Sequence, residues 1–300
     1  MNREVTGIWY AVAAYASWGL LPLYWKALQQ IPSGEILAHR ILWSFVFVSM
    51  ILFLMKRWKS FKEVLFQPSV RLGIFASGFL ISANWFTYIW AVNNNHVIEA
   101  SLGYYINPLL SFCLGMLVLK ERLHFWQLVS IALAAIGVII ITVEFGKIPW
   151  VAFSLALTFA FYGLAKKLTK VDSMISLALE TTIVAPLAIL YLSFLQWNGS
   201  GALGTVTMGE HFLLFGAGIV TALPLLWFAQ AAKRISLTTI GFIQYLSPSI
   251  GLLLGIFLYK EPFTTAHIIS FSFIWAALLL YSISSTKFMV QITPKFQRKL

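Results

Sequence analysis

The reactive side chains of this sequence are few and poorly spaced for catalysis. Asp172 is the one aspartate, which removes paired-aspartate proteolysis and Asp-rich metal–diphosphate chemistry. The five histidines, at 39, 96, 124, 211 and 267, lie far apart, with no H-E-x-x-H and no metal-ligand spacing. Cys113 stands alone in an apolar run, so neither a disulfide framework nor a thiolate metal site is expected. No G-x-S-x-G elbow and no phosphate-binding G-x-x-x-x-G-K-[ST] occurs, which speaks against serine acyl transfer and against ATP-driven work. An enzyme is not expected, nor a cofactor.

The sequence offers instead charge in unusual surroundings. Arg40 and Glu180 each sit inside a long apolar stretch, with His39 beside the first. A charge at bilayer depth costs about 2.5–3.5 kcal/mol on insertion scales, so such residues mark pathways by default. Arg40 is expected to bind an anionic group of a cargo or to pair with Glu180. Glu180 or His39 would titrate if transport is coupled to a proton. The structural alternative is an ion pair alone, or an arginine snorkelling outward from the end of its helix.

Aromatic and amide side chains surround these charges in the chain. Asn84, Trp85 and Tyr88 fall on one stretch, with positions 84 and 88 on a single helical face. Tyr104, Tyr105 and Asn107 fall on the next; Trp227, and then Gln244 and Tyr245, occupy the corresponding stretches later on. Such a set suits a flat, partly polar organic molecule, which it can stack against and hydrogen-bond. Trp and Tyr also gather at membrane interfaces, the role expected of Trp25, Trp150 and Trp197. Asn93 to His96 read as a tight outside turn without chemistry.

The elements that must carry these residues follow from composition. In 300 residues, 60% are of the AVILMFWYC set and 10% are charged, with a mean hydropathy of +0.84. A soluble domain has about a quarter of its residues charged, so the expected solvent is lipid. Ten apolar stretches are long enough to cross a bilayer: roughly 6–25, 36–55, 72–92, 98–119, 125–143, 148–165, 174–195, 211–231, 236–259 and 266–286. They are continuously apolar, unlike barrel strands, so an all-α polytopic membrane protein is expected. The first reads as a retained helix, too long and aromatic for a signal peptide.

Orientation follows from where the basic residues fall. One side receives Arg3, the 56–71 segment, Lys120 and Arg122, Lys166, Lys167 and Lys170, Lys233 and Arg234, and the basic C-terminal tail. The other receives only Lys26, Lys147 and Lys260. The positive-inside rule puts both termini in the cytoplasm. The net charge of +11 is then a record of topology and not the footprint of a nucleic acid.

The chain also repeats itself. A shift of 140 residues lays Tyr105, Pro108, Leu114, Gly115, Lys120 and Glu121 on Tyr245, Pro248, Leu254, Gly255, Lys260 and Glu261 without a gap. Five stretches per half is an odd number, so the second half, 146–300, is expected upside down relative to the first, 1–145. Inverted repeats belong to secondary transporters, whose sites lie near the midplane where helices are interrupted at matching positions. Pro108 and Pro248 are such a pair, each opening its helix or merely kinking it for packing. The Ser111-x-x-x-Gly115 and Gly251-x-x-x-Gly255 faces are expected to pack helices.

The paired Y-x-x-P…G…K-E helices, with ten spans in inverted halves, resemble the EamA branch of the drug/metabolite transporter superfamily. More narrowly, E-I-L-A-H-R from Glu35, A-N-W-F-T-Y-I-W-A-V-N-N-N-H from Ala83, and E-A-S-L-G-Y-Y-I-N-P-L from Glu99 resemble the RarD group of chloramphenicol-sensitive proteins. A-F-Y-G-L from Ala160 and G-F-I-Q-Y-L-S-P from Gly241 continue the likeness. The resemblance spans essentially the whole chain. It implies a permease for a small organic metabolite or drug in a bacterial plasma membrane, working as an exporter. A channel, a facilitator or a non-transporting membrane scaffold is the rival reading.

Overall fold

The computed structural model describes residues 3–93, 97–146, 149–169, 171–258 and 264–284. Among them there are twelve α-helices and no strand. In order they are α1 (Arg3–Lys26), α2 (Ser33–Leu54), α3 (Trp58–Leu65), α4 (Pro68–Asn93), α5 (Val97–Leu117) and α6 (Phe125–Phe145). The later set is α7 (Trp150–Leu168), α8 (Ser173–Trp197), α9 (Met208–Ala232), α10 (Leu237–Gln244), α11 (Leu246–Leu253) and α12 (Thr265–Ser284). Each of the ten expected stretches lies on one of these, the ninth being shared by α10, α11 and a π-helical turn at Leu254–Leu258. Lys260 and Glu261 of the repeat motif, and the Asn94 to His96 part of the expected outside turn, lie outside the described residues.

By length and apolarity, six of the described helices can cross a membrane: α2, α6, α7, α8, α9 and α12. A seventh would be α3 with α4, which meet at a bend of 98°. The outer faces are apolar, with Leu72, Phe79, Leu117, Leu187 and Phe194 exposed. An aqueous surface would not tolerate so continuous an apolar girdle, and lipid accommodates it.

Local chemistry sets several helix ends. Asp172 caps α8, its Oδ1 accepting from the Met174 and Ile175 amides. Thr207 and Glu210 close a capping box on α9, the Thr207 amide and hydroxyl both donating to Glu210 Oε2 at 2.8 Å. α10 has two caps. Ser236 accepts from the Thr239 amide. Glu121, from the first half, accepts from the Leu237 and Thr238 amides at 2.7 and 3.0 Å and from the Thr238 hydroxyl at 2.7 Å.

The main helix pairings are α6 with α12, α5 with α7 and with α10, α4 with α7 and α8, α2 with α8 and α9, and α1 with α9, α10 and α11. Number the ten expected stretches in order and exchange the first five with the last five. Every pairing in this set then maps onto another member or onto itself. Packing at these crossings is close. A Cβ on Gly218 would clash with the Trp43 backbone carbonyl, so only glycine lets α9 approach α2 this far. Gly251, expected to serve packing, has nothing within 4 Å of its would-be Cβ and borders a cavity instead.

Candidate transport cavity and a buried charge cluster

A cavity of about 700 Å³ lies between the two sets of five stretches, within the size range of small-molecule sites. Three stripes at helical spacing face it. These are Tyr15, Trp18, Gly19 and Pro22 on α1; Ile81, Asn84, Trp85 and Tyr88 on α4; and Gln244, Ser247, Pro248 and Gly251 along α10 and α11. Tyr104, Tyr105 and Asn107 come from α5, Arg40 from α2 and Thr221 from α9. Of the residues expected along the pathway or at its kinks, nine therefore meet at one cavity: Arg40, Asn84, Trp85, Tyr88, Tyr104, Tyr105, Asn107, Gln244 and Pro248.

Arg40 is the cation of this cavity. Its guanidinium lies 4.5 Å from the Trp25 ring centroid and 5.3 Å from that of Trp85. Its Nε donates to Thr221 Oγ1 at 3.1 Å. The two terminal nitrogens have no hydrogen-bond partner among the described residues. Trp25, expected as an interface anchor, lies against this guanidinium and lines the cavity. Trp150 and Trp197 are exposed.

The other lining side chains are mostly fixed. Asn84 Nδ2 donates to the Leu155 carbonyl (2.8 Å) and to Thr158 Oγ1 (3.0 Å), tying α4 to α7. Tyr88 and Tyr104 pack edge to face at 6.2 Å. Tyr15 donates to Gln244 Oε1 at 3.3 Å. Asn107 is buried with its Oδ1 unpartnered among the described residues, so an acceptor is left over at the cavity.

Of the twelve residues expected along the pathway, four do not reach the cavity, three of them for reasons of helical phase. His39 adjoins Arg40, but neighbours on a helix point about 100° apart. It is buried with its Nδ1 accepting from the Trp43 indole at 3.2 Å, which leaves the proton on Nε2, an atom with no partner among the described residues. Trp227 stands out of phase with Thr221 and Leu225, which face the cavity, and packs on the core. Tyr245 is fully buried beside the Gln244 stripe, its hydroxyl donating to the Tyr105 carbonyl at 3.3 Å. That bond lies one residue from the carbonyl that Pro108 deprives of its helical donor. Pro108 itself is buried inside an uninterrupted α5, whereas the chain around Pro248 is broken at Tyr245. The matched prolines thus act differently in the two halves.

Glu180 is the fourth, and it does not pair with Arg40. The helices α2 and α8 run antiparallel: Gly34 faces the Tyr191 hydroxyl, while Ala38 and Ile41 cluster with Ala188. Arg40 is then level with residue 185 and Glu180 with residue 45, about 7–8 Å apart along the axis at 1.5 Å per residue. Glu180 pairs with Lys166, a residue read in the sequence only as a topology signal. Lys166 Nζ lies 2.5 Å from Glu180 Oε1 and 3.0 Å from Ser176 Oγ, and the two charged side chains are 1% and 2% exposed. Ser77 and Ser176 also donate to that carboxylate oxygen, at 2.6 and 3.0 Å. The cluster ties α4, α7 and α8 together at an end the cavity does not reach. The repeat holds the one sequence signal for this pair: Lys166 is the 140-residue counterpart of Lys26, just as Glu180 is that of Arg40.

With this geometry in place, comparison with known proteins is informative. Residues 5–143 and again 147–283 match the EamA-like transporter family. The chain belongs to that family. It is 50% identical over 287 residues to the uncharacterized transporter YojE of Bacillus subtilis, covering 94% of this chain and 95% of the relative. It is 40% identical over 275 residues to protein RarD of Escherichia coli, covering 92% and 93%. A solved crystal structure superposes with a TM-score of 0.70 over 95% of this chain and 99% of its own, at 18% identity, a likeness of fold. The EamA-family chain described here is therefore a multi-pass bacterial membrane transporter with a small-molecule substrate.

Proposed function

We propose that this EamA-family chain is an alternating-access permease for a small organic anion with a flat apolar body. It crosses the bacterial plasma membrane ten times as two inverted five-helix repeats, 1–145 and 146–300, with both termini cytoplasmic. Export is the direction suggested by its resemblance to the RarD group. The exchange-symmetric helix pairing and the two consecutive family matches support the repeats.

The observation that carries the substrate class is Arg40. Two indoles hold its guanidinium in the cavity and one threonine anchors Nε, which leaves the forked end for an incoming carboxylate or similar group. The repeat sharpens this reading. Where the second half holds the Lys166–Glu180 ion pair, the first half holds two cations, Lys26 and Arg40. An anionic cargo would give Arg40 the counter-charge that Glu180 gives Lys166 in the second half. Glu180, already held by three donors, is better suited to closing one end of the path than to carrying a coupling proton.

Counterflow in proteoliposomes tests the proposal, with labelled aromatic carboxylates set against their methyl esters. The acids are expected to exchange and the esters not to. Arg40→Gln should lower exchange by at least about tenfold, the worth of one charge-assisted bond. Arg40→Lys should recover it only in part, because an ammonium neither forks nor stacks flat on an indole. Full exchange by Arg40→Gln would sink the assignment, and absence of counterflow with any cargo would favour a channel or scaffold.

A further inference from the structure

A second pocket, of about 740 Å³, opens at the end of the bundle where α7 and α9 stop and α1 and α8 start. Arg3, Lys167, Asp172, Ser173, Lys233 and Arg234 line it, so four cations face one carboxylate.

Most of these groups are already committed. Lys167 Nζ donates to the Ile235 carbonyl at 2.6 Å and lies 3.7 Å from Glu121. Arg234 donates to the Gln230 backbone and side chain, and its guanidinium stands over the Tyr10 ring. Asp172 holds Arg57 at 2.9 Å as well as the first amides of α8. Arg3 reaches the Lys233 carbonyl at 3.3 Å. Two groups remain without a partner among the described residues. One is the Ser173 hydroxyl, 1% exposed at the start of α8. The other is the half-buried Lys233 ammonium. A buried hydroxyl and an ammonium left unpaired in the same pocket both cost free energy unless a ligand satisfies them.

We propose that this pocket is an oxyanion site, which takes a phosphate group between the Lys233 ammonium and the Ser173 hydroxyl. The local excess of positive charge favours an anion of more than one charge, and the positive end of the 25-residue α8 adds to it. Asp172 opposes the anion but is neutralised by Arg57. The phosphate could belong to a lipid headgroup, since the pocket lies on the face that carries the basic loops, or to a soluble phosphate compound. In the empty pocket burial, with Lys166 and Arg234 nearby, pushes the Lys233 ammonium down to about 8, while Asp172 and Glu180 pull the other way. A bound phosphate would restore it. Binding should therefore weaken as pH rises past that value.

Thermal unfolding of the detergent-purified full chain tests this, with inorganic phosphate against chloride at matched ionic strength. A parallel arm uses phosphatidylcholine nanodiscs with a rising share of phosphatidic acid, whose phosphomonoester carries up to two charges where the choline lipid's phosphodiester carries one. Saturable stabilisation is expected in at least one arm, and the responding arm names the source. Lys233→Gln should weaken it by at least about tenfold, and Ser173→Ala by less. Lys233→Arg should keep most of it, which guards against a folding defect in the first variant. No saturable shift in either arm, or an equal shift in wild type and Lys233→Gln, would overturn the site.

Discussion

The Lys166–Glu180 pair is where single side chains matter most to stability. Both ions are out of solvent, and three donors converge on one carboxylate oxygen while Glu180 Oε2 stays unpartnered among the described residues. Removing one partner strands the other charge, at a cost of about 3–5 kcal/mol. Glu180→Leu and Lys166→Met are each expected to lower the unfolding free energy by that order in detergent. The double variant should recover most of it, because no charge is then left stranded. A double variant as unstable as the sum of the singles would show that the pair is not the unit. The cavity's side chains were half legible from residue type alone. Arg40, Asn84, Trp85 and Tyr88 drew attention as polar or aromatic groups in apolar surroundings, and all four line it. Lys166 did not, because a lysine close to a loop resembles any topology signal until the fold places Glu180 beside it.

At the scale of elements, the two halves are stitched by a cap. Glu121 ends the first half's motif, yet its carboxylate holds the first amides of α10 in the second half. Glu121→Ala leaves three partly buried donors unmet, and a loss of about 2–3 kcal/mol is expected. Glu121→Gln, which keeps an acceptor, should lose less; thermal melts of the two variants check the order. Lys167 joins the same carboxylate, an ion pair that both variants lose, so added salt should narrow the gap between wild type and Glu121→Gln. The sequence motif Y-x-x-P…K-E had singled out this glutamate as a repeat marker. What it does could not be read there, because its partners lie 116 and 117 residues away.

At the scale of the molecule, the cavity and the buried pair lie at different levels of one path. With the basic loops cytoplasmic, as proposed, Arg40 stands towards the outside and Glu180 towards the inside, and the cavity is expected to open outward. A single cysteine at Gly251, on a background with Cys113→Ser, should then react with a membrane-impermeant maleimide from outside, and cargo should protect it. Labelling from the cytoplasmic side alone would reverse the proposed orientation. A C-terminal fluorescent reporter should likewise be bright, and a C-terminal alkaline phosphatase inactive.

Composition alone decided that the solvent is lipid and the elements are helices, since so few charges cannot cover an aqueous surface. The 140-residue repeat already implied two similar halves, because the order of a duplicated chain survives in one dimension. Phase and distance were beyond it. Whether His39 or Arg40 faces the cavity depends on 100° of helical rotation, and whether Glu180 meets Arg40 or Lys166 depends on how far antiparallel helices slide past each other. Those quantities are set by packing, such as the close approach of α9 to α2 at Gly218, and only the tertiary structure decided them.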